Sequence, residues 1–166
     1  MSETQTISLE NQALALRMNR QTGVIESLRN KKTNLELITL TPATVPWRLE
    51  TESGWTSAFE RFTSEAVPDG VVLRWQTADG LTIEARVELL QGSPQVSFRV
   101  RVENATNAAI DKIEYPVFGG IGALSDTSTN RLLHSQGTGF LFENPHTLFQ
   151  DADEHPRGAR GLRYSL

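Results

Sequence analysis

Three histidines and a scatter of acids toward the C-terminal end are the residues of this chain best suited to moving protons. His134, His146 and His155 lie near Glu143 and Glu154 in sequence. An imidazole and a carboxylate that converge on one ligand can serve as general acid and base. Rim residues on a solvated face are the plainer account of the same set. Two carboxylates doing hydrolytic work must stand about 5–10 Å apart across a cleft, a distance that spacing in sequence does not set. The His-Glu-x-x-His spacing of a zinc protease is absent. Asp151-Ala-Asp153-Glu154 could offer oxygen ligands to calcium, but it lacks the longer spacing and central glycine of an EF-hand loop. Gly119-Gly120-x-Gly122 has no Lys-Ser/Thr and no helical pattern after it, so it reads as a bulge or tight bend and not as a phosphate loop. Trp55, between Gly54 and Thr56, can either stack on the flat face of a ring-shaped ligand or pack over the end of a sheet.

Composition narrows the classes. With no cysteine, disulfides, thiolate catalysis and thiolate-held zinc are excluded. No metal and no cofactor is expected. Sixteen basic against twenty acidic residues give a formal charge of −4 with no block of like sign. A duplex-binding surface needs a basic stripe, so nucleic acid is not an expected partner. No apolar run approaches the roughly 20 residues of a membrane-spanning helix. The polar start Met1-Ser-Glu-Thr-Gln-Thr6 lacks a signal peptide's basic and apolar regions, which favours a soluble, cytoplasmic protein. At 166 residues a single domain is expected.

The elements that must position these residues are strands. Leu81, Ile83, Ala85, Val87 and Leu89 are apolar, alternating with Thr82, Glu84, Arg86 and Glu88. Beyond Gln91-Gly92-Ser93-Pro94 the alternation resumes with Val96, Phe98, Val100 and Val102. A period of two over such lengths means strands with one buried and one wet face, as in antiparallel sheets. Directly opposed residues share a face, so their numbers must sum to an even total. This predicts a three-residue loop Ala78-Asp79-Gly80 with Gly80 left-handed, Trp75 opposite Ile83 and Leu73 opposite Ala85. It also predicts Val87 opposite Phe98, and Glu84 opposite Arg101. Earlier, Leu14–Met18, Val24–Leu28 and Leu35–Leu40 form a meander, with Gly23 suited to a positive φ. Trp47–Thr51 reads as a strand, Glu52–Ala58 as a polar loop and Phe59–Val67 as a weaker strand. Ala109–Phe118 follows, its Pro116 suiting an edge or bulge. Arg131–His134 is a short strand, and Gln136–Arg160 shows little periodicity. Helix signals are almost absent. Trp75 belongs to the core, and Trp47 to the core or an edge.

The stretch Leu9-Glu-Asn-Gln-Ala-Leu-Ala-Leu-Arg-Met-Asn-Arg-Gln-Thr-Gly-Val-Ile-Glu-Ser-Leu28, continuing to Asn30-Lys-Lys-Thr-Asn-Leu-Glu-Leu-Ile38, resembles the opening hairpins of galactose-mutarotase-like β-sandwich domains. Ile113-Glu-Tyr-Pro-Val-Phe-Gly-Gly-Ile121 resembles a later strand and glycine turn of the same domain, so the similarity runs from about Thr6 to Ile121. The resemblance implies a supersandwich of two antiparallel sheets, placed at the front of a multidomain glycoside hydrolase and bracing its catalytic domain. The chain is shorter than the family's full sandwich, and Arg160–Leu166 reads as a strand beginning, so a fragment of a longer protein is expected.

The expectation is therefore an all-β, antiparallel sandwich spanning residues 1–166, with no catalytic residue of its own. A downstream catalytic domain is its expected partner. Trp55, His134, Glu143 and His146 are its candidate carbohydrate contacts. A free-standing carbohydrate-binding module and a small aldose 1-epimerase are the alternatives. An epimerase needs a histidine and a glutamate that converge, and these residues match none of the family's catalytic strands. A fragment should also dimerise or expose an unpaired strand edge.

Overall fold

In the computed structural model of the chain the apolar alternation becomes strands, and every strand pair is antiparallel among the described residues. The structure describes residues 6–38, 40–106, 108–120, 131–134 and 140–143, the last two stretches as backbone only. Strands β1 (Thr6–Glu10), β2 (Leu14–Asn19), β3 (Ile25–Asn30) and β4 (Leu35–Glu36) make a first sheet in sequential order. Strands β5 (Arg48–Thr51), β6 (Gly54–Thr56), β7 (Arg61–Val67), β8 (Gly70–Gln76), β9 (Thr82–Glu88), β10 (Ser97–Glu103) and β11 (Ile110–Glu114) follow. They form a four-stranded sheet of order β10-β9-β8-β7 and a three-stranded one of order β11-β5-β6. These sheets belong to one compact unit, residues 1–121. Residues 122–166 form a second unit, which contains the two-stranded ladder of β12 (Arg131–His134) and β13 (Phe140–Glu143).

The expected register holds. Trp75 opposes Ile83 and Leu73 opposes Ala85. Phe98 opposes Val87, and Arg101 opposes Glu84. The β8–β9 loop closes by Thr77 N–H donating to the Leu81 carbonyl, and Gly80 takes φ +96°. One-sidedness follows from the pleat. Ile83, Ala85 and Val87 on β9 are fully buried while Arg86 between them is exposed.

The sheets meet at a single core. Leu16, Met18 and Ile25 of the first sheet and Leu49 of β5 join Val71, Leu73, Trp75, Ile83, Ala85 and Val87 of the second, with Trp47 beside them. The fold is thus all-β, with antiparallel sheets packed face to face around one apolar layer.

Two side-chain ties lock the first sheet onto the second. Asn11 Nδ2 donates to the carbonyls of Leu90 and Ser93 in the β9–β10 turn, at 2.8 and 2.7 Å. At the other end of β2, the Trp75 indole N–H donates to the Thr22 carbonyl at 2.8 Å. An aromatic chain runs from Phe59 through Phe62, Trp75 and Tyr115 to Phe98 and Phe118, with centroids 5.4–6.5 Å apart.

Several boundaries differ from the periodicity. The β1 strand lies before the first expected strand and is paired along its whole length with β2. The expected strand Ala109–Phe118 is paired only over Ile110–Glu114, so Pro116 lies past its end instead of within it. Trp55 lies on β6 and not in a polar loop. The reason is local: only three residues of β6 pair with β5, too few for alternation to register.

Candidate functional site

The three-stranded sheet presents the most ligand-competent surface of the described residues. Trp47, just before β5, and Leu49 on it are fully buried, so Arg48 and Glu50 project to the opposite face. The β5–β6 hairpin turns through Glu52-Ser53, with Thr51 paired to Gly54. Thr51 Oγ1 accepts from the Ser53 N–H at 3.3 Å, and Gly54 takes φ +102°. A Cβ at Gly54 would meet nothing within 4 Å, so the glycine is required by backbone conformation and not by crowding.

This hairpin places Trp55 directly opposite Glu50, and Glu50 opposite Lys112 of β11. The three form one outward row. Lys112 reaches across β5 until its Nζ lies 5.2 Å from the centroid of the Trp55 ring. The same ammonium donates to Glu114 Oε1 at 2.7 Å. Glu114 in turn opposes Arg48. Trp55 keeps 44% of its surface exposed even with the lysine over it. The face therefore combines an accessible indole with two carboxylates, an ammonium and a guanidinium. An indole can cover the apolar face of a ring, and the flanking charges can exchange hydrogen bonds with its polar rim.

A second feature is a shallow depression of about 190 Å³ on the outer face of β7, β8 and β9, lined by Arg61, Thr63, Arg74, Gln76 and Thr82. Small-molecule pockets usually enclose about 300–1,000 Å³, so this one is undersized. Hydrogen bonds to Glu84 at 2.7 Å and Glu65 at 3.1 Å raise the Arg74 pKa above its ordinary value. Those carboxylates also neutralise the arginine, which weakens any claim of the depression on an anion.

Among the described residues two buried polar atoms lack a hydrogen-bond partner, Trp47 Nε1 and the Tyr115 hydroxyl. Burial raises the Tyr115 pKa well above its usual value. No metal-competent cluster of His, Asp or Glu occurs among the described residues. No helix among the described residues is long and apolar enough to cross a membrane.

The expected site residues separate into the two units. Trp55 lies in the first. His134 ends β12, where it pairs with Phe140, and Glu143 ends β13, paired with Arg131. The ladder thus holds this histidine and this glutamate at its two ends and not at opposed positions. His146, His155, Glu154, Asp151 and Asp153 lie outside the described residues. Sequence reasoning missed Glu50, Lys112 and Glu114 as neighbours of Trp55. The alternation of Trp47 and Leu49 carried the only signal, since it already put Glu50 on the outward face.

The chain matches no family model, no curated protein and no solved structure.

Proposed function

We propose that this chain is a non-catalytic β-sandwich module of a glycoside hydrolase, bracing the catalytic domain and helping to shape its carbohydrate cleft. The observation that supports the reading is Trp55. It is a solvent-facing indole on a paired hairpin, flanked by Glu50 and Lys112. Pyranose rings carry C–H bonds on one face and hydroxyls around the rim, a complement to this arrangement. A single aromatic contact contributes about 0.5–1.5 kcal/mol, which is too little to hold a sugar alone. Such a contact matters when a neighbouring site already holds the chain, because the second contact is then intramolecular.

Calorimetry with mono- and disaccharides is expected to give no measurable heat for this chain by itself. Joined to its catalytic domain, Trp55→Ala should raise KM for a polymeric substrate roughly 2- to 10-fold with kcat unchanged. An unaltered KM would count decisively against the module's place at the cleft. The exposure of Trp55 also favours a second reading, a free-standing carbohydrate-binding module. That reading requires micromolar to millimolar affinity in the isolated chain, lost with Trp55→Ala. Faster anomerisation of glucose or galactose by polarimetry, abolished by changing His134 or His146, would replace both with an epimerase.

A further inference from the structure

Trp55 owes its setting to a bulge two strands away. Ile110 opposes Thr51, but the register then shifts, so that Lys112, Ile113 and Glu114 oppose Glu50, Leu49 and Arg48. Continued without the shift, the ladder would set Lys112 against Leu49, which is fully buried. The extra residue keeps Ile110 and Ile113 both packed against the core and turns Lys112 onto the outward face that carries Trp55. Bulges commonly re-aim a side chain in this way. Lys112 then spans two strand spacings, about 10 Å, to bring its Nζ within 5.2 Å of the indole centroid. Glu114 Oε1 anchors the same ammonium at 2.7 Å.

The indole has little else to hold it. Among the described residues Trp55 is not one of the apolar side chains packed against the core, and it meets no other aromatic ring. Its strand pairs with β5 over three residues only. An exposed side chain so placed exchanges rotamers within picoseconds to nanoseconds. A ligand that needs one rotamer binds more weakly by the fraction of time spent in the others. We propose that Lys112 is the positioning residue of Trp55, holding the indole in the one orientation that meets a saccharide ring. The inference rests on the reading of Trp55 as a carbohydrate contact. A cation over an exposed indole shifts a rotamer equilibrium by about 2- to 5-fold. The lysine acts through the tryptophan and need not touch the sugar.

The test is time-resolved fluorescence anisotropy of the intact chain. Trp47 and Trp75 are fully buried, so the fast component of the decay reports Trp55. Lys112→Met keeps the length of the stem and removes the charge, and it should raise the amplitude of that component about 2-fold. Lys112→Arg, still a cation, should restore the wild-type value. In a Trp55→Phe background Lys112→Met should leave the fast component unchanged. An amplitude that Lys112→Met does not raise overturns the proposal. So does a rise that persists without Trp55, since the lysine would then act on the fold at large. Joined to the catalytic domain, Lys112→Met should raise KM about 2- to 5-fold with kcat unchanged, and it should add nothing to Trp55→Ala. A KM that responds to Trp55→Ala but not to Lys112→Met also overturns the proposal. A KM indifferent to both overturns the carbohydrate reading, whereas the anisotropy alone judges the hold of Lys112 on the indole.

Discussion

Trp75 and Thr22 are joined by a 2.8 Å hydrogen bond from the indole N–H to the backbone carbonyl, which clamps the β2–β3 turn of one sheet onto the middle of the other. The next residue makes the approach possible. A Cβ on Gly23 would lie 2.5 Å from Trp75 Cζ2 and 2.9 Å from Phe62 Cε2, and the residue holds φ +73°.

Gly23→Ala should therefore be among the costliest single methyl additions in the chain. The left-handed backbone costs about 1–2 kcal/mol for an L-residue, and crowding against a close-packed aromatic pair adds about 1–3 kcal/mol. Urea unfolding followed by tryptophan fluorescence is expected to show a loss of about 2–5 kcal/mol. A loss below about 0.5 kcal/mol, the ordinary surface range, would show that this turn does not seat against Trp75.

Asn11 has a comparable role at the other end of β2. Its Oδ1 accepts from the Ala13 and Leu14 N–H groups at 2.8 Å each, and its Nδ2 donates to Leu90 and Ser93. Removing the amide strands partners on both sheets. Unsatisfied buried groups cost about 1–3 kcal/mol each, partly relieved here by water at the turn. Asn11→Ala should lower stability by about 2–4 kcal/mol, and amide exchange should quicken at Leu14 before it quickens in β9.

Glu88 bridges two arginines that the register forces together. Arg86 and Arg99 are directly opposed, and Glu88 accepts from Arg86 at 2.8 Å while lying 3.6 Å from Arg99. Glu88→Gln leaves the like charges facing each other. The expected cost is about 1 kcal/mol at low salt, and it should shrink in about 1 M NaCl, where screening reaches only a few ångströms. A cost independent of salt would mean that the carboxylate acts through packing alone.

Tyr115 should govern part of the alkaline limb of stability. Burial raises its folded-state pKa above the unfolded value near 10. A raised pKa means that its contribution is fully present below about pH 10 and is lost as pH rises through the folded value. Tyr115→Phe should flatten that alkaline loss. At pH 7 it should be neutral or stabilising by up to about 1 kcal/mol, because the hydroxyl it removes has no partner among the described residues. The tyrosinate absorbance of the wild type minus that of the variant should appear only with unfolding. Titration of this difference near pH 10 in the folded protein would contradict the burial.

The central meander was legible residue by residue because its information is local. Alternation named the buried faces of β8, β9 and β10, and parity then selected the Ala78-Asp79-Gly80 loop. The candidate site was only half legible. Trp55 could be singled out as an aromatic in polar surroundings, but its neighbours Glu50 and Lys112 come from strands separated in sequence. They meet only because β11 pairs with β5, and no local pattern announces a pairing partner. In the second unit, Phe140–Glu143 escaped notice because Phe-Leu-Phe is a continuous apolar run, which periodicity cannot distinguish from any other buried segment.

The amino-acid order alone determined the strand class, the wet and dry sides of each long ribbon and the turns that demand glycine, since all three follow from steric rules acting over a few residues. Tertiary structure decided which ribbons became neighbours and that Trp75 would anchor a distant turn. Those outcomes depend on closing long loops around one shared apolar layer, and the free energy of that layer belongs to the assembled sheets and to no single segment.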